Sequence, residues 1–356
     1  MRIRVVITVV VVFAVLGFRA AAGSTAEPTS VASQADLELL ASIDEPFVDR
    51  AVAQPAEAAL EVEAASSPPA DAVTLSQALA AVGVGLPDGT SVYASTSSDT
   101  YEAGGGALGS DFWPASSVKV LAAIGALEYL HGLGFSGAAT VTMGDETFVV
   151  ADVYRAAITE SDNAAYDRLV RIAGLDWLNT VFLTAANGFP ESVIQRAYSG
   201  MGVWWSPTMT ITEGARSRVM PERQAGGTYA CPDDGNCSNL LELTDSVRRV
   251  VLDAEIPDAE RFDLAPSDVA ALTDALLDAE SFVGPAATRA LGHDAVVFAK
   301  PGYVPGNACV DAAVIVDTDT GRRYVLGVTT PDDGSTCPDL VEIAAATLDF
   351  LQARTA

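Results

Sequence analysis

The sequence predicts a mixed α/β (α+β) protein with an antiparallel sheet. Strand-like runs occur near both ends of the region 72–356, and those near the C-terminal end are rich in Val. Helical apolar periodicity dominates the stretch between them. Strands from both chain ends around a helical middle indicate one antiparallel sheet rather than repeated strand–helix–strand units.

Each element is predicted from the spacing of its apolar residues and from the turn residues at its ends. Helices are expected at 75–82, 118–130, 164–173, 176–186, 240–253, 266–278 and 340–353. Strands are expected at 91–95, 295–299, 310–317 and 322–329. With 356 residues, of which 49% are hydrophobic, the chain is long enough to bury a large core around them.

Residues 1–23 have the parts of a secretory signal. Residues 1–4 carry two Arg, residues 5–18 form an apolar run, and Ala-Ala-Ala at 20–22 provides a cleavage site. The run has fourteen residues, whereas a membrane-spanning helix needs about 20. We therefore expect a cleaved signal peptide and a secreted, extracytoplasmic protein, with an uncleaved N-terminal anchor as the alternative.

Residues 24–71 differ in composition from the region 72–356. They are rich in Ala, Glu, Ser and Pro, and they contain ten acidic residues and one Arg without a sustained apolar pattern. This composition predicts a disordered acidic linker, followed by a single structured domain over 72–356.

The charge of the chain excludes some classes of partner. The sequence contains 47 Asp and Glu against 20 Lys and Arg, a formal net charge of −27. Binding to nucleic acid requires clustered basic residues, and docking on an anionic membrane requires a basic surface. The basic residues comprise 18 Arg and only two Lys, which are Lys119 and Lys300.

The four cysteines predict two disulfides. An even number of Cys in an exported chain is typical of disulfide bonding. Cys231 and Cys237 lie in a stretch rich in Gly, Asp and Pro, and Cys309 and Cys337 flank two predicted strands. Of the three possible connectivities we favour Cys231–Cys237 with Cys309–Cys337. The spacing does not match a zinc site and the chain has only two His, so we predict no metal.

The first chemical motif is Ser116-Ser117-Val118-Lys119 at the start of a predicted helix. Side chains three apart on a helix lie on one face, and the positive helix end favours a deprotonated lysine. Such a lysine is able to take the proton of a serine hydroxyl. Taken alone, the motif is common by chance, and a capping serine with a solvated lysine is the alternative interpretation.

Two further motifs follow in order. Ser161-Asp162-Asn163 opens another predicted helix, and Lys300-Pro301-Gly302 follows the strand 295–299. A helix cap and a turn are the alternative interpretations of these two motifs. However, the chain has 18 Arg and only two Lys, and both Lys occupy motif positions. A desolvated Lys, unlike Arg, is able to lose its proton near neutral pH.

Together these motifs resemble the superfamily of penicillin-binding proteins and serine β-lactamases, most closely its class A β-lactamase-like branch. The resemblance extends from residue 75 to the C-terminus. It implies a β-lactamase/transpeptidase-like fold, a five-stranded antiparallel sheet flanked by helices with a helical subdomain. It also implies a monomeric serine hydrolase without cofactor or metal, acting on a small-molecule or peptidoglycan-like substrate.

The resemblance assigns catalytic roles to four residues. Ser116 would be the nucleophile and Lys119 its general base. Ser161, assisted by Lys300, would relay a proton to the leaving group.

The resemblance also implies three substrate-binding residues, Asn163, Gly302 and Tyr303. Asn163 would hold the substrate amide and orient Lys119. The oxyanion hole would consist of the backbone N–H groups of Ser116 and of Tyr303, which follows Gly302. Asp162 is expected to be structural.

The sequence also departs from the family. The class A loop motif Glu-x-x-Leu-Asn, whose Glu activates the deacylating water, is absent, and the corresponding position near 196–199 has no acid. Pro301 stands where Thr or Ser would bind the substrate carboxylate, and the next strand offers Asp311, expected to repel it, instead of an Arg. Residues 201–239, which include Trp204 and Trp205, are expected to form an extra loop.

Two classes of function follow from these observations. One is an active hydrolase of β-lactams, or a DD-peptidase or esterase with a different substrate. The other is a noncatalytic binding module of the same fold, which is acylated at most once. No Gly-x-Ser-x-Gly motif is present, which disfavours an α/β-hydrolase.

The charge predicts a salt-dependent stability. Residues 72–356 contain 37 Asp and Glu and 16 Lys and Arg, a net charge of −21. Self-repulsion of this size destabilises a compact state and is screened by salt. We expect the melting temperature of the purified protein to rise between low salt and about 0.5 M NaCl, where the screening length is shorter than at physiological ionic strength. Calorimetry would test this, and a flat or falling melting temperature would contradict it.

Overall fold

A computed structural model describes residues 73–105, 113–231, 235–332 and 337–355. The predicted signal peptide and the acidic linker lie outside the described residues. Within these ranges, none of the helices has both the length and the apolar character required to cross a membrane.

The described residues form nine α-helices and eleven strands, several of them short. The helices are α1 (Leu75–Ala81), α2 (Lys119–Gly132), α3 (Val150–Thr159), α4 (Asn163–Ala173), α5 (Leu175–Trp177), α6 (Leu240–Val251), α7 (Pro266–Leu277), α8 (Val283–Leu291) and α9 (Pro338–Thr355). The strands are β1 (Ser91–Ser95), β2 (Thr100–Gly104), β3 (Thr140–Met143), β4 (Glu146–Val149), β5 (Trp205–Ser206), β6 (Met209–Glu213), β7 (Arg216–Met220), β8 (Arg223–Gln224), β9 (Ala295–Val304), β10 (Ala308–Asp317) and β11 (Arg323–Pro331).

The main sheet confirms the predicted fold class. Its five strands are ordered β2-β1-β11-β10-β9, and every neighbouring pair is antiparallel. β10 and β11 are almost wholly buried because helices cover both faces of the sheet, which explains their nearly continuous runs of Val and Ala. β9 forms one edge.

Alternate side chains of β10 point to opposite faces of the sheet and belong to two different hydrophobic cores. Val310, Ala312 and Val314 pack with α2, α4 and α6 in the larger core. Ala313 and Ile315 face the opposite side and pack with α1, α8 and α9. The larger core therefore lies between the sheet and the helical middle of the chain, which is where the motif residues meet.

A second, four-stranded sheet was not predicted. Its order is β4-β3-β6-β7, so two strands lie in the middle that was expected to be helical and two lie in 201–239. The expectation of an extra loop at 201–239 is therefore wrong in part, because β5 to β8 occupy much of it. These strands have two to five residues and β7 is mostly exposed, so their apolar alternation is too short to be recognised in the sequence.

The helix predicted at 176–186 is also interrupted. α5 is followed by a π-helical turn, Leu178–Phe182, and by a short 3₁₀ turn, Ala185–Asn187. The side chain of Asn179 donates to the carbonyl groups of Leu175 (2.9 Å) and Ile194 (2.7 Å). The turn thereby binds the chain segment that leads to the site described below.

Two disulfides are present, with the pairing favoured from the sequence. Cys309–Cys337 joins the start of β10 to the residue before α9, and Cys231–Cys237 closes a short loop. Cys237 also pairs with Val193 through two backbone hydrogen bonds of 2.9 and 3.1 Å. The disulfide of the short loop thus supports the same segment that Asn179 binds.

The two disulfides should differ in their contribution to stability. The Cys309–Cys337 bridge spans 28 positions and the Cys231–Cys237 bridge spans six. Loop-closure entropy then gives about 3 to 4 kcal/mol for the first bridge and about 2 kcal/mol for the second. We expect the double Ala variant of Cys309 and Cys337 to lose more free energy of unfolding in urea than the double Ala variant of the other pair. The reverse order would contradict this account.

Candidate active site

Ser116 lies on a 3₁₀ turn that leads directly into α2. The turn comprises Ala115–Val118, and Ala115 has a left-handed φ of 50°, rare for a residue with a side chain. The hydroxyl and the N–H of Ser117 both donate to the carbonyl of Pro114, at 2.5 and 3.1 Å. The hydroxyl of Ser117 is thus occupied, while half-buried Ser116 lines a pocket.

Gly302 allows β9 to approach this turn closely. A Cβ atom at Gly302 would lie 2.6 Å from the carbonyl oxygen of Pro114 and 2.9 Å from the nitrogen of Ser117. Both are backbone atoms, so no side chain fits there without moving the strand or the turn. The third motif therefore lies against the first because its glycine has no side chain.

Lys119 is completely buried at the first position of α2. Its Nζ donates to three acceptors: the carbonyl oxygen of Ser161, the hydroxyl of Ser161 at 3.3 Å and Oδ1 of Asn163 at 2.8 Å. Burial lowers the pKa of Lys119 to about 8, although the charges of Asp162 and Asp167 oppose this. A minority of molecules therefore carries a neutral Lys119 near neutral pH.

Lys300 reaches the same serine from the sheet. It lies on β9, is 1% exposed, and its Nζ donates to the hydroxyl of Ser161 at 3.0 Å. Burial, together with the charge of Lys119, lowers the pKa of Lys300 to about 7. The hydroxyl of Ser161 therefore accepts hydrogen bonds from both lysines of the chain.

The loop between α3 and α4 positions the second motif. Ser161 has a left-handed φ of 55°, and Asp162 caps α4 by accepting a hydrogen bond of 2.6 Å from the N–H of Ala165. Asn163, the first residue of α4, accepts the hydrogen bond from Lys119. Two side chains of this motif thus contact Lys119, while that of Asp162 holds the helix start.

Tyr198 occupies the loop position where the sequence offers no acid. Its ring centroid lies 5.8 Å from Nζ of Lys119, and its hydroxyl donates to the carbonyl of Ala115 at 2.8 Å. Its ring also stacks on Tyr166 with the centroids 4.7 Å apart. Burial raises the pKa of the Tyr198 hydroxyl, so it remains protonated near neutral pH and is a poor general base.

Asp167 and Asn236 hold this loop, and the sequence did not identify either of them. Asp167 accepts from the N–H groups of Tyr198 (2.8 Å) and Ser199 (2.9 Å) and from the hydroxyl of Ser199 (2.5 Å). Asn236 accepts from the N–H groups of residues 195 and 196 and donates to Tyr166. The one feature of the sequence that could have indicated Asp167 is its position as an acidic residue among the apolar residues of α4.

Asp311 does not face the substrate side of the sheet, so the expectation that it repels a substrate carboxylate directly is wrong. Its carboxylate accepts hydrogen bonds from the hydroxyl of Ser281 (2.8 Å) and the N–H of Val283 (3.0 Å), at the start of α8. Asp311 pairs with Pro301 in register, on the face opposite to Lys300. Burial raises the pKa of Asp311 to about 6.

The motif residues line one pocket of about 270 Å³. Its lining includes Ser116, Ser161, Lys300, Gly302 and Tyr303. A larger cleft of about 570 Å³ runs along the segment 195–204 and contains none of these residues, so we place the chemistry in the smaller pocket.

The tyrosine expected at the oxyanion hole is 43% exposed, and its side chain has a different partner. The hydroxyl of Tyr303 donates to Asp332 at 3.1 Å, so the side chain is not directed to the expected oxyanion hole.

Among the described residues, one cluster combines several potential metal ligands: Cys309, Cys337 and Asp332. The two sulfur atoms are joined in a disulfide and cannot act as thiolate ligands.

Comparisons with known proteins agree with this geometry. The sequence model of the Beta-lactamase enzyme family matches residues 110–349. No curated protein matches the chain.

Solved structures share the fold at low sequence identity. PBP-A, in a mutant described as an acyl-enzyme complex with penicillin G, is 17% identical with a TM-score of 0.56, covering 79% of this chain and 96% of that one. A class A β-lactamase from Mycobacterium abscessus is 19% identical with a TM-score of 0.55, covering 80% of this chain and 100% of that one. The family match extends over most of the folded region, and the chain belongs to the β-lactamase enzyme family.

Proposed function

We propose that this protein is an exported serine hydrolase that cleaves an amide or ester through an acyl-Ser116 intermediate, with β-lactam amides as the first substrate class to test. The observation that carries this proposal is the convergence of two buried lysines on one serine hydroxyl beside Ser116. Burial of two ammonium groups costs free energy, so two buried lysines in one site point to a functional role. Lysines with a lowered pKa are typical of acid–base sites.

In the acylation step, neutral Lys119 takes the proton of Ser116 while Oγ of Ser116 bonds to the substrate carbonyl carbon. The negative oxygen formed there accepts hydrogen bonds from the N–H groups of Ser116 and Tyr303. The bond to the leaving group then breaks, and the proton passes from Lys119 through Ser161 to the leaving atom. Lys300 stabilises the Ser161 oxygen during this transfer, and Asn163 holds the substrate amide.

Deacylation has less support. Hydrolysis of the acyl-enzyme requires a base for the incoming water, and Tyr198 fills the loop position beside Lys119 with a protonated phenol. The oxygens of the nearby Asp167 are occupied by three donors. This observation favours the second candidate function, a module that is acylated and releases its acyl group very slowly. A DD-peptidase or esterase remains compatible with the same site.

Export is part of the proposal. The predicted signal over residues 1–23 supports it, as do the two disulfides, since disulfides persist mainly in oxidising compartments. Separate assays of cytoplasm and medium for the mature N-terminus would test it. Retention of residues 1–23 in a cytoplasmic protein would contradict it.

The first test of the proposed chemistry is covalent labelling. We expect penicillin or a fluorophosphonate probe to add one adduct at Ser116, with a labelling rate that rises with pH as Lys119 becomes neutral around pH 8. The Lys119→Ala variant should be labelled roughly 10² to 10⁴-fold more slowly. Intact-mass spectrometry and peptide mapping would measure both.

The neighbouring serine provides the control. Ser117→Ala should still be labelled, because its hydroxyl is bound to Pro114, whereas Ser116→Ala should not. An adduct that persists in Ser116→Ala would exclude the proposed nucleophile.

The second test separates acylation from deacylation. With a chromogenic cephalosporin, the wild-type protein should give a burst approaching one equivalent per site, followed by a slow phase. Tyr198→Glu supplies a carboxylate beside Lys119 and should accelerate the slow phase more than the burst. Stopped-flow absorbance would resolve the two phases.

A matched variant controls for loss of the phenol. Tyr198→Phe removes the hydrogen bond to Ala115 without supplying a base, so its slow phase should not accelerate. Rapid turnover by the wild-type protein without a burst would show that another group already deacylates the enzyme.

A further inference from the structure

The lining of the catalytic pocket is acidic, and Pro301 contributes no hydrogen-bond donor to it. Glu160 and Glu280 line it together with Phe282 and Pro301. Pro301 has neither a hydroxyl nor an N–H. Among the described residues that line this pocket, Lys300 is the only cation, and its Nζ is already directed to Ser161.

In the proposed reaction the leaving group lies beside Ser161 and Lys300, because these two residues deliver its proton. From the lining of this pocket we infer that the natural leaving group is uncharged or cationic rather than a carboxylate. Penicillins and cephalosporins, which carry a carboxylate on the leaving-group side, are then acylating probes of Ser116 and not the natural substrate. The inference rests on the proposed function, since it names the substrate class of the same site.

Helix α8, which begins beside the pocket residue Phe282, does not supply a free anion site. A helix N-terminus ordinarily favours an anion. Here the N–H of Val283 and the hydroxyl of Ser281 donate to Asp311 from behind the sheet. These donors bind the protein's own carboxylate on the face of the sheet opposite to Lys300, so they do not bind a substrate carboxylate in the pocket.

The charge of Lys300 is also weak. Burial lowers the pKa of Lys300 to about 7, so it is neutral more often than an exposed lysine and attracts an anion less. Glu160 and Glu280 are both exposed and line the same pocket. The field of the domain, with its net charge of −21, acts in the same direction.

A set of three thioesters tests the inference with the full mature protein. The substrates share a hippuryl acyl group and carry thioglycolate, thioglycolamide or thiocholine as the anionic, neutral or cationic leaving group. We expect kcat/KM, followed by thiol release, to be at least about 10-fold higher for the neutral and cationic thioesters than for the anionic one. Added salt should reduce the difference.

Charge-removing variants assign the effect to the pocket. Glu160→Gln and Glu280→Gln should each raise kcat/KM for the anionic thioester and lower it for the cationic one, by about 3-fold or more. Glu102→Gln is the matched control, because it removes the same charge from an exposed site on β2, at the opposite edge of the sheet. It should leave the ratio of the two rates unchanged.

The outcomes separate the inference from the proposed function. A higher kcat/KM for the anionic thioester than for the other two would overturn the inference, as would equal effects of the pocket variants and Glu102→Gln. Labelling of Ser116 by fluorophosphonate without cleavage of any thioester would also overturn it, since charge would then not decide turnover. If fluorophosphonate does not label Ser116, the proposed function itself fails.

Discussion

The site depends on the burial of two lysine side chains against one serine hydroxyl. An ammonium group that leaves water loses hydration, and a second one nearby adds repulsion, so the neutral amine is favoured. Both lysines are buried at Ser161, and Lys300 is in addition repelled by the charge of Lys119. Their lowered pKa values result from this arrangement, and so does the capacity of Lys119 to accept a proton near neutral pH.

The fold brings the two lysines together from distant parts of the chain. Lys119 lies at the start of α2 in the helical middle of the chain, whereas Lys300 lies on the edge strand β9. The contact of Gly302 with the turn at Ser117 fixes the distance between these elements. The backbones of β9 and the turn meet there without an intervening side chain, so the close approach of the two segments requires glycine at position 302.

The sequence identified the residues whose chemistry is local. Ser116 and Lys119 lie three positions apart, and their types alone suggest proton transfer. Tyr198 and Asp167 were not assigned a role, because their contact with the site arises from packing of a loop on α4. Asp311 was expected on the face of the sheet that carries Lys300, but it lies on the opposite face, because Ala312 and not Asp311 pairs with Lys300. A shift of one residue in the pairing of two strands moves a side chain to the other face. The five-stranded sheet was predictable from long Val-rich runs, whereas the small second sheet was not.

The central claim is that both lysines are partly neutral near physiological pH, and the composition allows a direct measurement. The chain contains only two lysines, so protein labelled with ¹³C and ¹⁵N at lysine should give two sets of side-chain NMR signals, which Lys300→Arg would assign. The account predicts titration midpoints for Lys119 and Lys300 near pH 8 and 7, coupled to each other. Titration of both lysines at the ordinary value near 10.4 would contradict the account.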